Sequence, residues 1–252
     1  VTGTGGADTL QDTLPSTSAM VGGLGADTFK VHGSATIADL GSGADILQVS
    51  NGGVALATLA GAWTATSATS NLGKATLSTS GFDVNLSAAT GNGFSVTNTG
   101  NSGATLTGSA SSDTLIGGNG NDTLAGRGGN DVFTGGAGND HFVFNTTPNA
   151  SANFDTITDF THGQDILDFS RSIFNKVAEK PTGGSYLTLA SNELLVTSGS
   201  TTTGSNSHQH FIYNTTTGML YYDATGTGSS VAIALLANHP LDLAYTDIHI
   251  IM

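Results

Sequence analysis

The sequence predicts an all-β fold, a parallel β-solenoid of short strands, and three observations support this. Glycine accounts for 36 of the 252 residues and only 37% of the chain is hydrophobic, which is too little apolar surface for a thick globular core. A nine-residue pattern rich in Gly and Asp recurs in two blocks. Between these blocks, single apolar residues continue at intervals of nine or ten. A thin, repetitive β architecture accounts for all three.

The repeated unit is clearest over residues 108–143, which divide without a gap into four nonapeptides. Each has Asp at its sixth position and a large apolar residue at its eighth, and two match Gly-Gly-x-Gly-x-Asp-x-U-x throughout, where U is a large apolar residue. The acidic residues of this block are Asp113, Asp122, Asp131 and Asp140. Further copies occupy 3–11, 22–30 and 40–48, with Asp8, Asp27 and Asp45 at the same position.

The composition of the unit predicts both its shape and a ligand. Six residues form a turn in which Gly supplies positive φ, and three residues with one buried apolar side chain form a short strand. Two units make one coil, and coils stack about 4.8 Å apart. Each Asp then lies beside the Asp of the next coil, so the carboxylates repel each other. Oxygen ligands at a flexible turn favour Ca²⁺ as the cation that removes this repulsion.

The apolar spacing joins the two blocks into one solenoid. Intervals of 9, 10, 10 and 9 residues separate five apolar positions, namely Leu77, Leu86, Val96, Leu106 and Leu115. A longer repeat aligns residues 37–50 with 157–170 at a constant offset of 120. Each copy follows a complete nonapeptide, which predicts that both segments close a run of coils.

These patterns divide the chain into four regions. They are N-terminal repeat coils (1–50), degenerate solenoid coils (51–107), the main repeat block (108–170) and a C-terminal region (171–252). The last region is predicted to form an antiparallel β cap from the segments 185–190, 193–198, 210–214, 219–224 and 231–237. Such a cap buries a sheet edge that would otherwise pair with other chains.

The segment GGNGNDTLAGRGGNDVFTGGAGNDHFV (117–143) resembles the RTX, or haemolysin-type, calcium-binding repeat family. Residues 154–170 resemble the element that follows the last repeats in serralysin-type C-terminal domains. Residues 210–251 resemble the uncleaved C-terminal target region of RTX proteins exported by type I secretion. The resemblance implies a parallel β-roll that binds several Ca²⁺ ions between its turns and folds after export. It also implies the type I secretion machinery as a partner.

The resemblance further implies which residues bind the ions. In the family, one turn contributes the carbonyls of its first and third residues and its Asp; the next coil contributes the carbonyls of its second and fourth residues and its Asp. The most complete site then comprises Gly117, Asn119, Asp122, Gly136, Gly138 and Asp140. A second comprises Gly22, Leu24, Asp27, Gly41, Gly43 and Asp45. Less complete candidates are the pairs Asp8 with Asp27, Asp113 with Asp131, and Asp159 with Asp165. The Asp8 and Asp27 pair has a spacing of 19 residues, and Arg127 replaces the second glycine of the turn that contains Asp131.

Several residues allow other interpretations. A flexible acidic linker has a similar composition, although the regular Leu and Phe at the eighth position disfavour it. His208 and His210 are either metal ligands on one face of a strand or exposed loop residues. Trp63 is either a buried residue of the degenerate coils or an aromatic ligand platform. We expect no enzyme activity, because no motif combines a nucleophile, a base and an oxyanion donor.

Charge and hydropathy exclude two classes of interaction. Six Lys and Arg against 19 Asp and Glu give a net charge of −13, and the scattered basic residues provide no patch for nucleic acid. The longest apolar run, 231–237, is far shorter than the roughly 18 residues of a membrane-spanning helix. There are no cysteines, which excludes disulfides and thiolate metal sites.

We therefore expect a secreted, extracellular protein with a structural or adhesive role at the cell surface. A surface-layer subunit, a filament or an adhesin segment fits, and such a protein would self-associate into sheets or filaments. The alternative is the C-terminal secretion and folding module of a larger exported enzyme, such as a protease or lipase, or of a toxin.

Overall fold

The computed structural model describes residues 1–12, 17–181 and 186–252, which form 26 strands and one 3₁₀ helix. The first strands are β1 (Thr9–Gln11), β2 (Thr17–Met20), β3 (Thr28–Val31), β4 (Ser34–Leu40), β5 (Ile46–Val49), β6 (Val54–Leu59), β7 (Trp63–Thr64), β8 (Ser70–Asn71), β9 (Lys74–Thr79), β10 (Val84–Asn85), β11 (Thr90–Gly91), β12 (Phe94–Asn98) and β13 (Thr105–Thr107). The others are β14 (Thr114–Asn119), β15 (Thr123–Ala125), β16 (Val132–Ala137), β17 (His141–Phe144), β18 (Asp155–Ile157), β19 (Ile166–Ser170), β20 (Glu179–Pro181), β21 (Tyr186–Leu189), β22 (Leu194–Thr197), β23 (Phe211–Asn214), β24 (Met219–Tyr222), β25 (Val231–Leu236) and β26 (Ile248–Ile251), with the 3₁₀ helix at Tyr245–Asp247.

These strands form three sheets. A twelve-stranded sheet has the order β2-β4-β6-β9-β12-β14-β16-β18-β25-β24-β23-β22. A five-stranded sheet has the order β1-β3-β5-β8-β11, and a nine-stranded sheet has the order β7-β10-β13-β15-β17-β19-β26-β21-β20. Pairings within the repeat blocks are parallel, as between β3 and β5 or β14 and β16. The chain is thus an all-β parallel solenoid of about ten turns, and the predicted fold class is confirmed.

Rows of apolar side chains from each face fill the interior of the solenoid. On the twelve-stranded sheet, register aligns one such row that comprises Met20, Ile37, Ala57, Leu77, Val96, Leu115, Phe133, Ile157 and Leu236. Facing them on the nine-stranded sheet is a buried row that includes Leu106, Leu124, Phe142, Leu167 and Ile248. The eighth position of the nonapeptide therefore supplies the core.

The degenerate coils differ from the predicted two units per coil. The strands β6, β7 and β8 make one coil of three faces, and β9, β10 and β11 make the next. The residue step on the twelve-stranded sheet is 20 from β6 to β9 and 19 from β9 to β12, against 18 from β14 to β16. Val84 rather than Leu86 stacks on Leu106, although Leu86 is also buried. A third short strand replaces the Gly/Asp turn.

Trp63 marks the transition from two faces to three. Its side chain is buried, and its Nε1–H donates to the carbonyl of Asp45 at 3.0 Å. The indole thereby covers the last turn of the N-terminal repeat coils. The interpretation of Trp63 as a buried residue of the degenerate coils is confirmed.

The C-terminal region extends the twelve- and nine-stranded sheets by one parallel strand each and then adds antiparallel strands. Strand β25 pairs parallel with β18, and β26 pairs parallel with β19. Strands β24 and β23 follow β25 in antiparallel order, and β21 pairs antiparallel with β26. The predicted antiparallel cap is confirmed, with an additional parallel pair of β22 and β23. Of the predicted strand 185–190, residue 185 lies outside the described residues.

Aromatic side chains fill the junction between the solenoid and the cap. The ring of Phe169 lies 4.8 Å from that of Phe174 and 4.6 Å from that of Phe211, between ring centroids. Tyr222 packs edge-on against Phe174 at 5.0 Å. Because each buried aromatic ring stabilises the fold by several times the free energy of one methylene, this cluster anchors the end of the solenoid without any polar ladder.

Candidate metal sites

Two rows of Asp side chains follow the stacked turns. Ladder 1 has two separate runs: Asp8, Asp27 and Asp45 precede strands of the five-stranded sheet, and Asp122, Asp140 and Asp165 precede strands of the nine-stranded sheet. Ladder 2 lies at strands of the twelve-stranded sheet and comprises Asp113, Asp131 and Asp155. All are buried except Asp8, which is half-buried. The structure thus brings every predicted Asp pair of adjacent coils together.

Backbone hydrogen bonds fix the carboxylates in these rows. In each ladder, one carboxylate oxygen, Oδ1, accepts the backbone N–H of the Asp one coil earlier. The distance is 2.8 Å from Asp122 N to Asp140 Oδ1 and 3.0 Å from Asp140 N to Asp165 Oδ1. The same bond joins Asp27 to Asp45 at 2.9 Å and Asp8 to Asp27 at 2.9 Å, despite the 19-residue spacing of the latter pair. The carboxylates are therefore held close together by the fold itself.

The second carboxylate oxygen, Oδ2, divides eight of the nine ladder residues into two classes, and Asp155 belongs to neither. Among the described residues, four ladder carboxylates have a buried Oδ2 that accepts no hydrogen bond: those of Asp27, Asp122, Asp131 and Asp140. A buried carboxylate oxygen without a donor costs several kcal/mol unless a positive charge compensates for it. These open oxygens fit a hard cation such as Ca²⁺.

In the other class, the turn satisfies its own carboxylate. The backbone N–H of the second residue of the turn donates to Oδ2, as from Gly41 to Asp45 at 2.8 Å. The equivalent donors are Thr4 to Asp8 at 2.5 Å, Ser109 to Asp113 at 2.6 Å and Thr161 to Asp165 at 2.8 Å. These four turns all depart from the complete nonapeptide, but the Asp131 turn, with Arg127 at its second position, also departs from it and keeps an open oxygen.

Asp39 and Asp159 explain why two of the turns stay open. Asp39 accepts the N–H groups of Gly22 and Gly23 at 2.9 and 2.7 Å. Asp159 does the same for the first two glycines of the turn that contains Asp140, at 2.9 and 2.8 Å. The second N–H of each turn, from Gly23 or Gly136, therefore donates to Asp39 or Asp159 and not to Oδ2 of Asp27 or Asp140. Asp159, predicted as a ligand of the last site, uses both oxygens in these bonds, and the longer repeat at offset 120 was the signal for Asp39.

The two most complete predicted sites lie where turns stack in register. Gly118 pairs with Gly136 and Asn119 with Ala137, which superimposes the turns 117–122 and 135–140. A Cβ on Gly117 would lie 2.8 Å from Asp122 Oδ2, so the first glycine keeps the space before the open oxygen free. In the N-terminal site, the Ser42 hydroxyl donates to the carbonyl of Gly23 at 2.5 Å, and the Asp45 turn is closed as described above.

Ladder 2 has one strained turn. Arg127 adopts a φ of 77°, where the equivalent Gly118 and Gly136 have φ of 87° and 99°. Its carbonyl accepts a hydrogen bond from the Thr146 hydroxyl. Asp113 and Asp131 are nevertheless joined, from N to Oδ1 at 2.7 Å.

Asp155 completes ladder 2 and was missed by the sequence analysis. Its Oδ1 accepts the backbone N–H of Asp131 at 3.0 Å. It follows an irregular segment in which the nonapeptide pattern is lost. The available signal was local, since Asp155-Thr156-Ile157 repeats the order Asp, Thr, apolar found at Asp122.

The electrostatics of the ladders favour a bound cation. Burial, with the neighbouring charges of Asp155 and Asp113, raises the pKa of Asp131 to about 8. Burial raises the pKa of Asp155 to about 7, and burial with the charges of Asp165 and other carboxylates raises that of Asp140 to about 6. Burial also raises the pKa of Asp122. Full ionisation of these rows therefore requires compensating positive charge.

The histidines at 208 and 210 do not form a metal site in the described part of the chain. His210 is buried, and its Nδ1 lies 2.5 Å from Glu193 Oε2. His208 is exposed. Neither belongs to a group of three potential ligands.

Comparison with known proteins identifies the repeats. Residues 99–142 match the family model of the RTX calcium-binding nonapeptide repeat in four copies. No curated protein matches the chain at a significant level. Across the described residues, no helix is long and apolar enough to cross a membrane. The repeat match and the parallel solenoid fit an RTX calcium-binding β-roll module.

Proposed function

We propose that this chain is an extracellular structural protein whose β-roll coils fold on binding Ca²⁺ after export. The observation that carries the proposal is the set of four buried Asp Oδ2 atoms without hydrogen-bond donors, arranged in rows with other carboxylates. An arrangement of this kind is unfavourable for a calcium-free chain with a net charge of −13.

The proposed ligands follow the stacked turns. One ion lies between Asp122 and Asp140 with the carbonyls of Gly117, Asn119, Gly136 and Gly138, and another lies between Asp27 and Asp45 with those of Gly22, Leu24, Gly41 and Gly43. The pairs Asp8 with Asp27, Asp113 with Asp131, and the last coil at Asp165 are further candidates. Bound Ca²⁺ supplies the positive charge that the ladders need. At about 100 times its Kd, each ion adds about 2.7 kcal/mol, so three or four ions are comparable to the roughly 5–15 kcal/mol stability of a domain.

Calcium dependence gives the chain a means of export. In a low-calcium cytoplasm the repeat coils would stay unfolded and pass through the type I secretion machinery, for which residues 210–251 are the proposed target region. Outside, the aromatic junction around Phe169 and Phe211 would nucleate folding, because it forms without ladder carboxylates. The coils would then add in the direction of the N-terminus.

The ends of the solenoid support a structural or adhesive role. Within the described residues, β1 and β2 are the outermost strands of their sheets at one end, and the cap strands β20 and β22 are outermost at the other. An outermost strand presents backbone groups for pairing with another chain. End-to-end stacking of copies would build sheets or filaments at a cell surface. The same edge would serve the alternative function, a folding module that continues upstream into a larger exported enzyme or toxin.

Calcium titration of the chelated protein, followed by circular dichroism and light scattering, tests the proposal. We expect a cooperative gain of β structure together with a rise in mass, and Mg²⁺ at the same concentration as a control should not replace Ca²⁺. A gain of β structure at constant monomer mass would refute self-assembly and favour the larger-protein alternative. A spectrum that is fully folded in excess chelator and indifferent to Ca²⁺ would refute the calcium proposal.

A further inference from the structure

A second cluster of metal-ligating side chains lies outside the ladders. His141, Asp168 and His249 come from β17, β19 and β26, which are neighbours in the nine-stranded sheet. Asp168 is paired directly with His249 by register. One ligand atom from each residue lies within 4.8 Å of the other two, and this is the one such group of three in the described part of the chain.

The cluster faces away from the apolar core. Leu167 and Phe169, which flank Asp168 in β19, belong to the core, and strand alternation directs Asp168 to the other side. There the ring of Tyr186 from β21 stacks on His249 at a centroid distance of 3.8 Å. The side chains of Asp168 and His249 are only 8% and 9% exposed, whereas His141 is 38% exposed. The buried pair of Asp168 and His249 is thus accessible to solvent on the side where His141 lies.

Two atoms of this cluster make no hydrogen bond. His141 Nδ1 lies 2.7 Å from Asp168 Oδ2, a good hydrogen bond. The other oxygen, Asp168 Oδ1, and the nitrogen His249 Nδ1 are buried and lie 3.5 Å apart, which is ion-pair distance without the geometry of a hydrogen bond. A ligand that both atoms bind would replace this long contact.

We infer that His141, Asp168 and His249 form a site for a divalent transition metal of the Zn²⁺ class. Two imidazole nitrogens and one carboxylate oxygen suit Zn²⁺, while Ca²⁺ selects oxygen ligands, so the site differs in chemistry from the ladders. The exposed side at His141 leaves a fourth position for water. An ion here would join three strands and tie the C-terminal strand β26 to the main repeat block.

Other His and carboxylate pairs in the molecule show what distinguishes this site. His32 Nδ1 lies 3.2 Å from Asp12, and His162 Nδ1 lies 2.6 Å from Asp247. Each of these pairs has one imidazole and one carboxylate, and neither belongs to a group of three. A single His–Asp hydrogen bond therefore occurs elsewhere in the fold. The second buried imidazole beside Asp168 is what distinguishes the cluster from these pairs. His32 therefore offers a matched control.

The test uses the full, untagged chain saturated with Ca²⁺, titrated with Zn²⁺ by calorimetry and with Co²⁺ by visible absorption. We expect one equivalent of each ion per chain and a Co²⁺ spectrum of low coordination number. The variants His141→Gln, Asp168→Asn and His249→Gln should each weaken binding by about 10-fold or more, and His32→Gln should not. Zn²⁺ should raise the thermal midpoint of the Ca²⁺-saturated wild type but not of His249→Gln.

Two results would overturn the inference. One is the absence of stoichiometric Zn²⁺ binding by the Ca²⁺-saturated wild type. The other is unchanged affinity in His141→Gln, which substitutes a half-exposed side chain and leaves the buried pair in place. Calcium-dependent circular dichroism of each variant separates loss of the metal ligand from loss of the fold. Failure of the Zn²⁺ test leaves the ladder proposal standing, because the ladders use different residues.

Discussion

The main repeat block and the degenerate coils stack in the same twelve-stranded sheet but satisfy their turns differently. In the repeat block, buried carboxylates occupy the turns and leave an open oxygen at Asp122, Asp131 and Asp140. In the degenerate coils, buried side-chain amides form the hydrogen bonds of the turns instead. Asn98 donates to the carbonyl of Ser102 at 2.9 Å and accepts from the N–H of Gly81 at 2.9 Å. A neutral amide has both donors and acceptors, whereas a carboxylate has only acceptors.

Because neutral amides can satisfy a turn, the solenoid does not require an ion in every coil. Parallel stacking and the row of core side chains are common to both regions. We therefore propose that calcium dependence belongs to particular turns, those with open carboxylate oxygens.

Raising the pH of the calcium-free protein is expected to have the largest effect, because it charges several ladder residues together. The raised pKa values of Asp131, Asp155 and Asp140, about 8, 7 and 6, mean that the folded chain holds protons that the unfolded chain, with Asp near 3.9, has released. Their contribution to stability is full below about pH 4 and is lost as the pH rises through about 6 to 8. The urea midpoint of the calcium-free protein should therefore decrease as the pH is raised from 5 towards 9, and the transition of the repeat coils should disappear where they no longer fold without Ca²⁺.

Two controls attribute this slope to the ladders. Saturating Ca²⁺ should abolish the fall, and Asp131→Asn should make it shallower. A calcium-free midpoint that is independent of pH would contradict the electrostatic account.

The effect of Asp140→Asn on the free energy of unfolding should change sign when calcium is removed. Asp140 lies between Asp122 and Asp165, so with Ca²⁺ its loss should cost at least one site, about 2.7 kcal/mol at 100 times the Kd. Without Ca²⁺ the variant should be more stable than wild type, because repulsion is removed. The matched control is Asp83→Asn in the degenerate coils, where the exposed Asp83 accepts from Thr105 N at 2.7 Å. Urea unfolding with and without Ca²⁺ measures both, and an effect of one sign in both conditions would refute the account.

Asn98→Asp should make a degenerate coil depend on calcium. The Asn98 amide donates to Asp122 Oδ1 at 3.1 Å, and a carboxylate would replace this bond by repulsion. We expect a loss of about 1–3 kcal/mol without Ca²⁺, of which added Ca²⁺ restores part. The control Asn92→Asp changes an exposed residue of the same region and should have little effect. Equal losses with and without Ca²⁺ would show that the amide has only a packing role.

Arg127→Gly should give the smallest effect, a gain in stability of about 0.5–1 kcal/mol. The φ of 77° is unfavourable for Arg by about 1–2 kcal/mol, and the greater chain entropy of Gly offsets part of the relief. Thermal unfolding in saturating Ca²⁺ measures the change, and Gly118→Arg should act in the opposite direction. A destabilised Arg127→Gly would mean that the Arg side chain itself stabilises ladder 2.

The sequence predicted the features that depend on local repetition. The period of nine places Asp122 and Asp140 in adjacent turns and Leu115 and Phe133 in the core, and the structure bears out both placements. The third face of the degenerate coils was not predictable, because Ser, Thr and Asn replace the Gly and Asp that carry the period. The cluster around Asp168 was hidden for another reason, since only strand register brings its residues from three distant segments together.

Hydrogen exchange resolved along the chain, in Ca²⁺ and in chelator, distinguishes the turns with open carboxylate oxygens from the rest of the solenoid. We expect chelation to remove protection mainly from β14–β17 and from β3 and β5, while β6, β9 and β12 keep a larger share of theirs. Protection that is lost uniformly along the solenoid, or that does not respond to chelation at all, would contradict the assignment of calcium dependence to the turns with open carboxylate oxygens.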